Sequence, residues 1–203
     1  MGNCCGGSER KTMPTTAKME IRRQKGQLKI HGDYFCSVTR TILACLDYCG
    51  VPYTLEEVDT FQGEHKEEKY LELNPTGQVP TIEHDKTVVL GDYSAFLNFL
   101  ANQYHDLGSQ LYPDKSVNDI KTHLLWYKCI MRPATQRFIR HIVGPKAFGE
   151  REYSSEEKQA NQREIWELIL PKMEEFLNDK QRNFMCSQDN LTIVDIQYYN
   201  ELQ

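Results

Sequence analysis

The stretch GEHKEEKYLELNPTGQVP, residues 63–80, decides the fold. A polar helix is predicted over residues 64–72, and Asn74-Pro75 and Thr76-Gly77 follow as strong turn signals. Val79-Pro80 stands directly before the strand-like run TIEHDKTVVL. Pro80 has no N–H to give a sheet ladder, so it belongs at the very start of its strand. A cis bond between Val79 and Pro80 would turn the N–H and C=O of Val79 outward. A peptide-like ligand would pair with them as an added strand.

Upstream of this stretch, Leu28-Lys29-Ile30-His31 alternates and ends at Gly32, as a first strand does. Val38, Ile42, Cys45, Leu46 and Cys49 fall at helical spacing, and Gly50 with Pro52 stops that helix. Tyr53–Val58 reads as a second strand, parallel to the first through a right-handed crossover. Downstream, Thr81–Glu83 and Thr87–Leu90 make a hairpin across His84-Asp85-Lys86. Ala95, Phe96, Phe99, Leu100 and Tyr104 mark a further amphipathic helix. The order β-α-β-α-β-β-α is that of a thioredoxin-like domain over residues 27–104. Residues 105–116, polar and containing Gly108 and Pro113, suit an interdomain linker.

The remainder, 117–203, is helical in pattern. Ile120, Leu124, Tyr127 and Met131 line one long helix, and Ile165, Leu168, Ile169, Phe176 and Leu177 line another. Pro145 and Gly149 are expected to break the run between them. Leu191-Thr192-Ile193-Val194-Asp195 reads as a capping box that opens a new helix.

The 203 residues suffice for a buried core, and no apolar run approaches the length of a membrane span. The net charge of −5 conceals a split: residues 1–27 carry +4 and the rest −9. An acidic body argues against nucleic acid as the partner. Seven cysteines, an odd number without a CxxC pair or signal peptide, suit a reduced, cytoplasmic protein with no metal site. The opening MGNCCGGSER carries an acylation pattern: Gly2 for myristate, Cys4 and Cys5 for palmitate, although Gly6 replaces the preferred Ser or Thr. Residues 1–26 are expected to be a disordered tether giving peripheral membrane association, aided by Arg10, Lys11, Lys18, Arg22, Arg23 and Lys25.

The 63–80 stretch resembles the second helix and cis-proline loop of cytosolic glutathione transferases, especially the theta and phi types. The likeness extends over residues 28–203 and implies an α/β thioredoxin-like domain followed by an all-α domain whose C-terminal helices are missing here, so either the chain is a fragment or its last apolar helix is covered by something else. It implies glutathione as co-substrate without a further cofactor, a small hydrophobic electrophile, and a homodimer. In theta and phi enzymes a serine four residues before an arginine activates the glutathione thiol. Counting back from Arg40 reaches Cys36, followed by Ser37.

Three readings stay open. Ser37 donates to the thiolate; or Cys36, favoured as a thiolate at a helix N-terminus, forms a mixed disulfide with glutathione as in omega-type members; or neither acts. The last would make the chain a noncatalytic interaction module like that of elongation factor gamma subunits. By the same resemblance His65, Lys66 and Gln78 hold the glycyl end of glutathione, and Val79 with Pro80 the cysteinyl part. Asp92 and Tyr93 stand where the family has Glu-Ser for the γ-glutamyl group. Tyr34 is a weaker candidate donor, and Cys129, Arg132 and Phe138 are candidate linings of the electrophile pocket.

Overall fold

The computed structural model describes residues 28–85, 87–90, 93–178 and 182–203, with the backbone alone of 93, 94 and 105–107. β1 (Leu28–Gly32) and β2 (Thr54–Glu57) run parallel, joined over α1 (Ser37–Tyr48), and Ile30 lies opposite Leu55. β3 (Thr81–His84) pairs antiparallel with β1, Ile82 opposite Ile30, and β4 (Thr87–Val89) pairs antiparallel with β3. The sheet order is β2-β1-β3-β4. This mixed sheet is the expected thioredoxin-like arrangement. Its apolar side chains alternate as the strand period requires: Leu28, Ile30 and Ile82 are buried with Ile42, Leu46, Phe96 and Leu100 in one core.

The helix predicted over 64–72 divides in two. Glu64–Lys66 forms a 3-10 turn, Glu67 takes an extended conformation with ψ 151°, and α2 (Glu68–Leu73) starts anew. The hairpin turn is tighter than expected, because His84 ends β3 and Asp85 takes φ 55°. An aspartate tolerates that left-handed conformation better than a branched residue would. α3 (Tyr93–Gln103) then packs on the sheet. The stretch expected as a linker carries α4 (His105–Leu111) and a 3-10 turn at Asp114–Ser116, with Leu111 fully buried.

The helical half opens with α5 (Val117–Trp126), passes through a π-helical segment at Tyr127–Met131, and continues as α6 (Arg132–Ala147). Ile120, Leu124, Tyr127 and Met131 are all buried, as their spacing predicts. Pro145 does not break α6. It lies in the last turn, where little helix remains to be disrupted, and the chain leaves only at Gly149, with φ 63°. α7 (Ser155–Glu164) begins with a Ser154/Glu157 capping box and runs through a second π segment, Ile165–Ile169, into α8 (Leu170–Leu177). Of the apolar stripe expected there, Ile169 is buried, whereas Leu168 and Leu177 are exposed.

Thr192 and Asp195 cap α9 (Ile193–Leu202) as expected, the Thr192 N–H donating to Asp195 Oδ2 at 2.8 Å. The other oxygen, Asp195 Oδ1, accepts from the Met185 N–H at 2.8 Å and so ties the preceding loop to the cap. α9 lies against α1, joining the two halves beside the cis-proline loop.

Candidate functional site

The Val79–Pro80 peptide is cis, and the loop before it is held by its own side chains. Asn74 Nδ2 donates to the Gln78 carbonyl (2.8 Å) and to Thr81 Oγ1 (2.9 Å), and its Oδ1 accepts from the Thr76 N–H (3.0 Å) and hydroxyl (2.7 Å). Tyr70 of α2 adds a donation to the same Gln78 carbonyl at 2.7 Å. Asn74 and Tyr70 are buried, so these bonds fix the loop away from competing water. Gly77 sits at φ 59°, and a Cβ there would come within 2.8 Å of Lys66 Nζ and 2.9 Å of the His65 carbonyl. Only glycine fits both constraints.

Facing this loop is the N-terminus of α1. Cys36 is its N-cap residue, partly exposed, with Sγ 3.7 Å from the Val79 carbonyl oxygen. Its position is set by Asp33, whose carbonyl accepts the Cys36 N–H at 3.0 Å. The Asp33 carboxylate accepts from the Phe35 N–H (2.8 Å), the Thr60 N–H (3.1 Å) and the Thr60 hydroxyl. Burial works to raise the Asp33 carboxyl, but the Thr60 and Phe35 donors outweigh it and hold it below the ordinary value.

Cys36 and the loop open onto a cavity of about 550 Å³, lined also by Thr60, His65, Lys66, Gln78, Lys128 and Arg132. A second cavity of about 520 Å³ meets it at Cys36, Arg132, Gln136 and Arg140, and adds Phe35, Ile139 and Phe148. Phe148 stacks on Phe61 (5.4 Å), which meets Phe35 edge-on (4.8 Å), so aromatic rings from both halves gather beside this cavity. Lys128, Arg132, Gln136 and Arg140 are each four residues apart, one stripe along the π segment and α6. Among the described residues, neither cavity carries an acidic side chain except Glu201, whose side chain is fully buried.

His65 is half-buried, and its Nδ1 has no hydrogen-bond partner among the described residues. Burial, reinforced by neighbouring Lys66 and opposed by Asp33, keeps its imidazole below the ordinary value. Lys66 is committed to the loop, donating to the Gly77 carbonyl at 3.0 Å. Gln78 is exposed at the rim.

Ser37 stands apart from this arrangement. It is 5% exposed, its hydroxyl donates to Glu201 Oε2 at 2.5 Å, and it accepts from Arg132. Both its donor and an acceptor site are consumed by the helical half. Arg40 likewise faces away from the cavity beside the loop, donating to the carbonyls of Tyr34 (2.7 Å), Phe35 (3.0 Å) and Asn200 (2.6 Å). Of the candidate electrophile-pocket residues, Arg132 lines both cavities, whereas Cys129 and Phe138 line neither. Tyr34 lines neither of these cavities but a separate cleft of about 220 Å³ with Asp33 and Phe61.

Asp92 lies outside the described residues, as do Gly2, Cys4 and Cys5; Tyr93 opens α3, with its side chain outside them too. Among the described residues no group of three or more His, Cys, Asp or Glu side chains is placed to hold a metal ion, and no helix is long and apolar enough to cross a membrane. The sequence reading missed Asp33, Thr60, Tyr70, Asn74 and Glu201. Asn74-Pro75 and Thr76-Gly77 could have flagged Asn74 as the loop's internal anchor, whereas nothing local marks Glu201.

Residues 35–103 match the family described as glutathione S-transferase, N-terminal domain. The chain is 29% identical over 191 residues to glutathione S-transferase F4 of Arabidopsis thaliana, covering 91% of this chain and 74% of that protein. It is 39% identical over 84 residues to glutathione S-transferase APIC of Nicotiana tabacum, an alignment covering 41% of this chain and 39% of the tobacco protein. Human glutathione transferase theta-2, solved in complex with glutathione, superposes with a TM-score of 0.76 at 23% identity over 86% of this chain and 70% of that one. A mutant of poplar glutathione transferase F1 gives 0.73 at 21% identity, over 86% and 79% of the two chains. The thioredoxin-like sheet, the cis-proline loop and the helical half are thus shared with these proteins, and the chain is similar in sequence and in fold to phi and theta cytosolic glutathione transferases.

Proposed function

We propose that the chain is a glutathione-dependent transferase whose reacting group is Cys36. The observation that carries this reading is the contrast between neighbouring side chains. Cys36 Sγ lies at the junction of two cavities beside Val79, while the Ser37 hydroxyl is buried and bound to Glu201 and Arg132. Glutathione would lie along the cis-proline loop with its cysteinyl part against the backbone of Val79. The unpartnered Nδ1 of His65, with Gln78 and Lys66, suits its glycyl carboxylate. Asp92 and Tyr93 are assigned to the γ-glutamyl end on sequence grounds.

The reaction is then thiol exchange. The Cys36 thiolate attacks the glutathione sulfur of a mixed disulfide, that S–S bond breaks, and the released thiolate takes a proton. A second glutathione thiolate attacks the resulting Cys36–glutathione disulfide, oxidised glutathione leaves, and Cys36 is regenerated. A second reading is conjugation, in which the Cys36 S–H donates to the glutathione thiolate while an electrophile occupies the cavity of Phe35, Ile139 and Phe148. The relatives named as transferases and the partly apolar lining favour it.

Cys36→Ser separates the two. It should abolish reduction of a glutathionyl mixed disulfide, yet preserve conjugation to a model aryl halide, because a hydroxyl still donates. Both activities surviving Cys36→Ser would remove Cys36 from the chemistry. Calorimetry without heat at millimolar glutathione would leave the noncatalytic, elongation factor gamma-like role. We propose assembly as a homodimer, to be checked by light scattering. Acylation at Gly2, Cys4 and Cys5 is a proposal from sequence motif alone; Gly2→Ala should move the protein from the membrane to the soluble fraction of cells.

A further inference from the structure

Glu201 is the centre of a buried polar cluster that joins three elements of the helical half to the start of α1. Its side chain is fully buried, and it accepts from Ser37 (2.5 Å), Tyr127 (2.9 Å), Arg132 Nη1 (2.7 Å) and Thr135. Arg132 shares its guanidinium between this carboxylate and Ser37 Oγ, and it lines both cavities that meet at Cys36. One end of the cluster is a buried anion. The other is a cation beside the candidate reacting thiol.

We infer that Glu201 is a positioning residue: it fixes Arg132 beside Cys36 and, by part-neutralising that cation, sets how readily the Cys36 thiol ionises. This rests on the reading of Cys36 as the reacting group. Among the described residues, the other charged and titratable groups around Cys36 are Asp33 in the preceding loop, Arg40 on α1, His65 and Lys66 in the 3-10 turn, Tyr70 on α2, Tyr127 and Lys128 in the π segment, and Arg137 and Arg140 on α6. Arg137 and Arg140 are 49% and 65% exposed and are paired with Glu164 and Glu150, so solvent screens them. Lys66 is held by the Gly77 carbonyl and Arg40 by three backbone carbonyls. Arg132, 21% exposed, is the cation beside Cys36 whose partner carboxylate has no contact with water. Charges in such a site act over several ångström with little screening. Burial disfavours the Arg132 cation, and the adjoining Glu201 carboxylate overrides it, so Arg132 stays charged.

The signs follow. Glu201→Gln keeps an acceptor for Arg132 but removes the opposing charge, which should favour the Cys36 thiolate. Arg132→Met removes the cation and should disfavour it. The measurement is the rate of Cys36 alkylation by iodoacetamide against pH, without glutathione, read by mass spectrometry of the Cys36 peptide. A failure of glutathione to bind therefore leaves this test intact. Glu201→Gln should move the midpoint down by about 0.5–1 unit and Arg132→Met should move it up by a similar amount, on the scale of one partly screened neighbouring charge. Tyr127→Phe, which removes one donor to Glu201 and no fixed charge, should superimpose on wild type. Shifts in the same direction for both variants, or shifts below about 0.3 unit, would overturn the inference. If either variant fails to fold, the doubly apolar Arg132→Met/Glu201→Leu protein, which leaves no unpaired buried charge, takes its place. Its midpoint should lie above wild type, since Arg132 is the member facing both cavities, and an unchanged midpoint would again overturn the inference.

Discussion

At the scale of single residues the site is built on restrictions that one substitution can test. Gly77→Ala puts a Cβ at φ 59° within 3 Å of Lys66 Nζ and the His65 carbonyl. The cost should be about 1–3 kcal/mol in urea denaturation, with weaker glutathione binding, because the displaced residues include His65. Gln197 offers the opposite case. It is fully buried on α9, and neither Nε2 nor Oε1 has a hydrogen-bond partner among the described residues. An unpaired buried amide costs about 1–3 kcal/mol, so Gln197→Leu should raise stability. A lowered unfolding midpoint for this variant would show that the amide is satisfied in solution.

At the scale of elements, the packing of α5, α8 and α9 depends on a neutral imidazole. His123 on α5 is buried against the Phe176 ring of α8, at 4.5 Å, and its Nδ1 is 3.2 Å from the Tyr198 hydroxyl of α9. That hydroxyl in turn donates to the His123 carbonyl at 3.0 Å. Burial, with Arg182 adding to it, depresses the His123 imidazole below its ordinary value of 6.5. The unfolded chain therefore binds a proton more readily than the folded one, and stability rises with pH in that window. The full contribution is present above about 6.5 and is lost as pH falls through the depressed folded value. Wild type should lose thermal stability between pH 7.5 and pH 5. His123→Gln should lose less over the same interval, and equal losses would place the pH dependence elsewhere.

At the scale of the whole molecule, the two halves are joined by polar groups that neither half satisfies alone. Arg40 of the thioredoxin-like half donates to the Asn200 carbonyl of α9, and Ser37 donates to Glu201. Arg40→Met strands the Asn200 carbonyl and frees the Tyr34-Phe35 loop. It should cost about 1.5–3 kcal/mol, the scale of hydrogen bonds from a charged donor. Because α9 packs against both α1 and α5, circular dichroism and tryptophan fluorescence should report one coincident unfolding transition. Separated transitions would show that the halves unfold independently.

Local pattern was enough for much of this architecture. Alternation in Leu28–His31, helical spacing from Val38 to Cys49, and the turn chemistry of NPTGQVP each depend on neighbours in sequence, so the mixed sheet and cis-proline loop were legible there. The Thr192/Asp195 cap was legible for the same reason. Burial along the later helices was not, since Leu168 and Leu177 carry the apolar spacing of Ile169 yet face outward. Spacing defines a stripe, and only the neighbouring helices decide which part of it is covered. The π segments at Tyr127–Met131 and Ile165–Ile169 also escaped, although each runs into a proline two residues past its end, Pro133 and Pro171, whose missing N–H leaves the preceding turn short of a bond. The site divides in the same way. His65, Gln78 and Val79 come together through short-range order around one loop, which the sequence by itself determined, whereas Cys36, 43 residues from Val79, faces that loop through the pairing of β1 with β3. The engagement of the Ser37 hydroxyl depends on Arg132 and Glu201, 95 and 164 residues along the chain from it. Only the tertiary structure brings that guanidinium and carboxylate onto the serine hydroxyl, because a buried charge pair is specified by what surrounds it and not by any residue beside it in sequence.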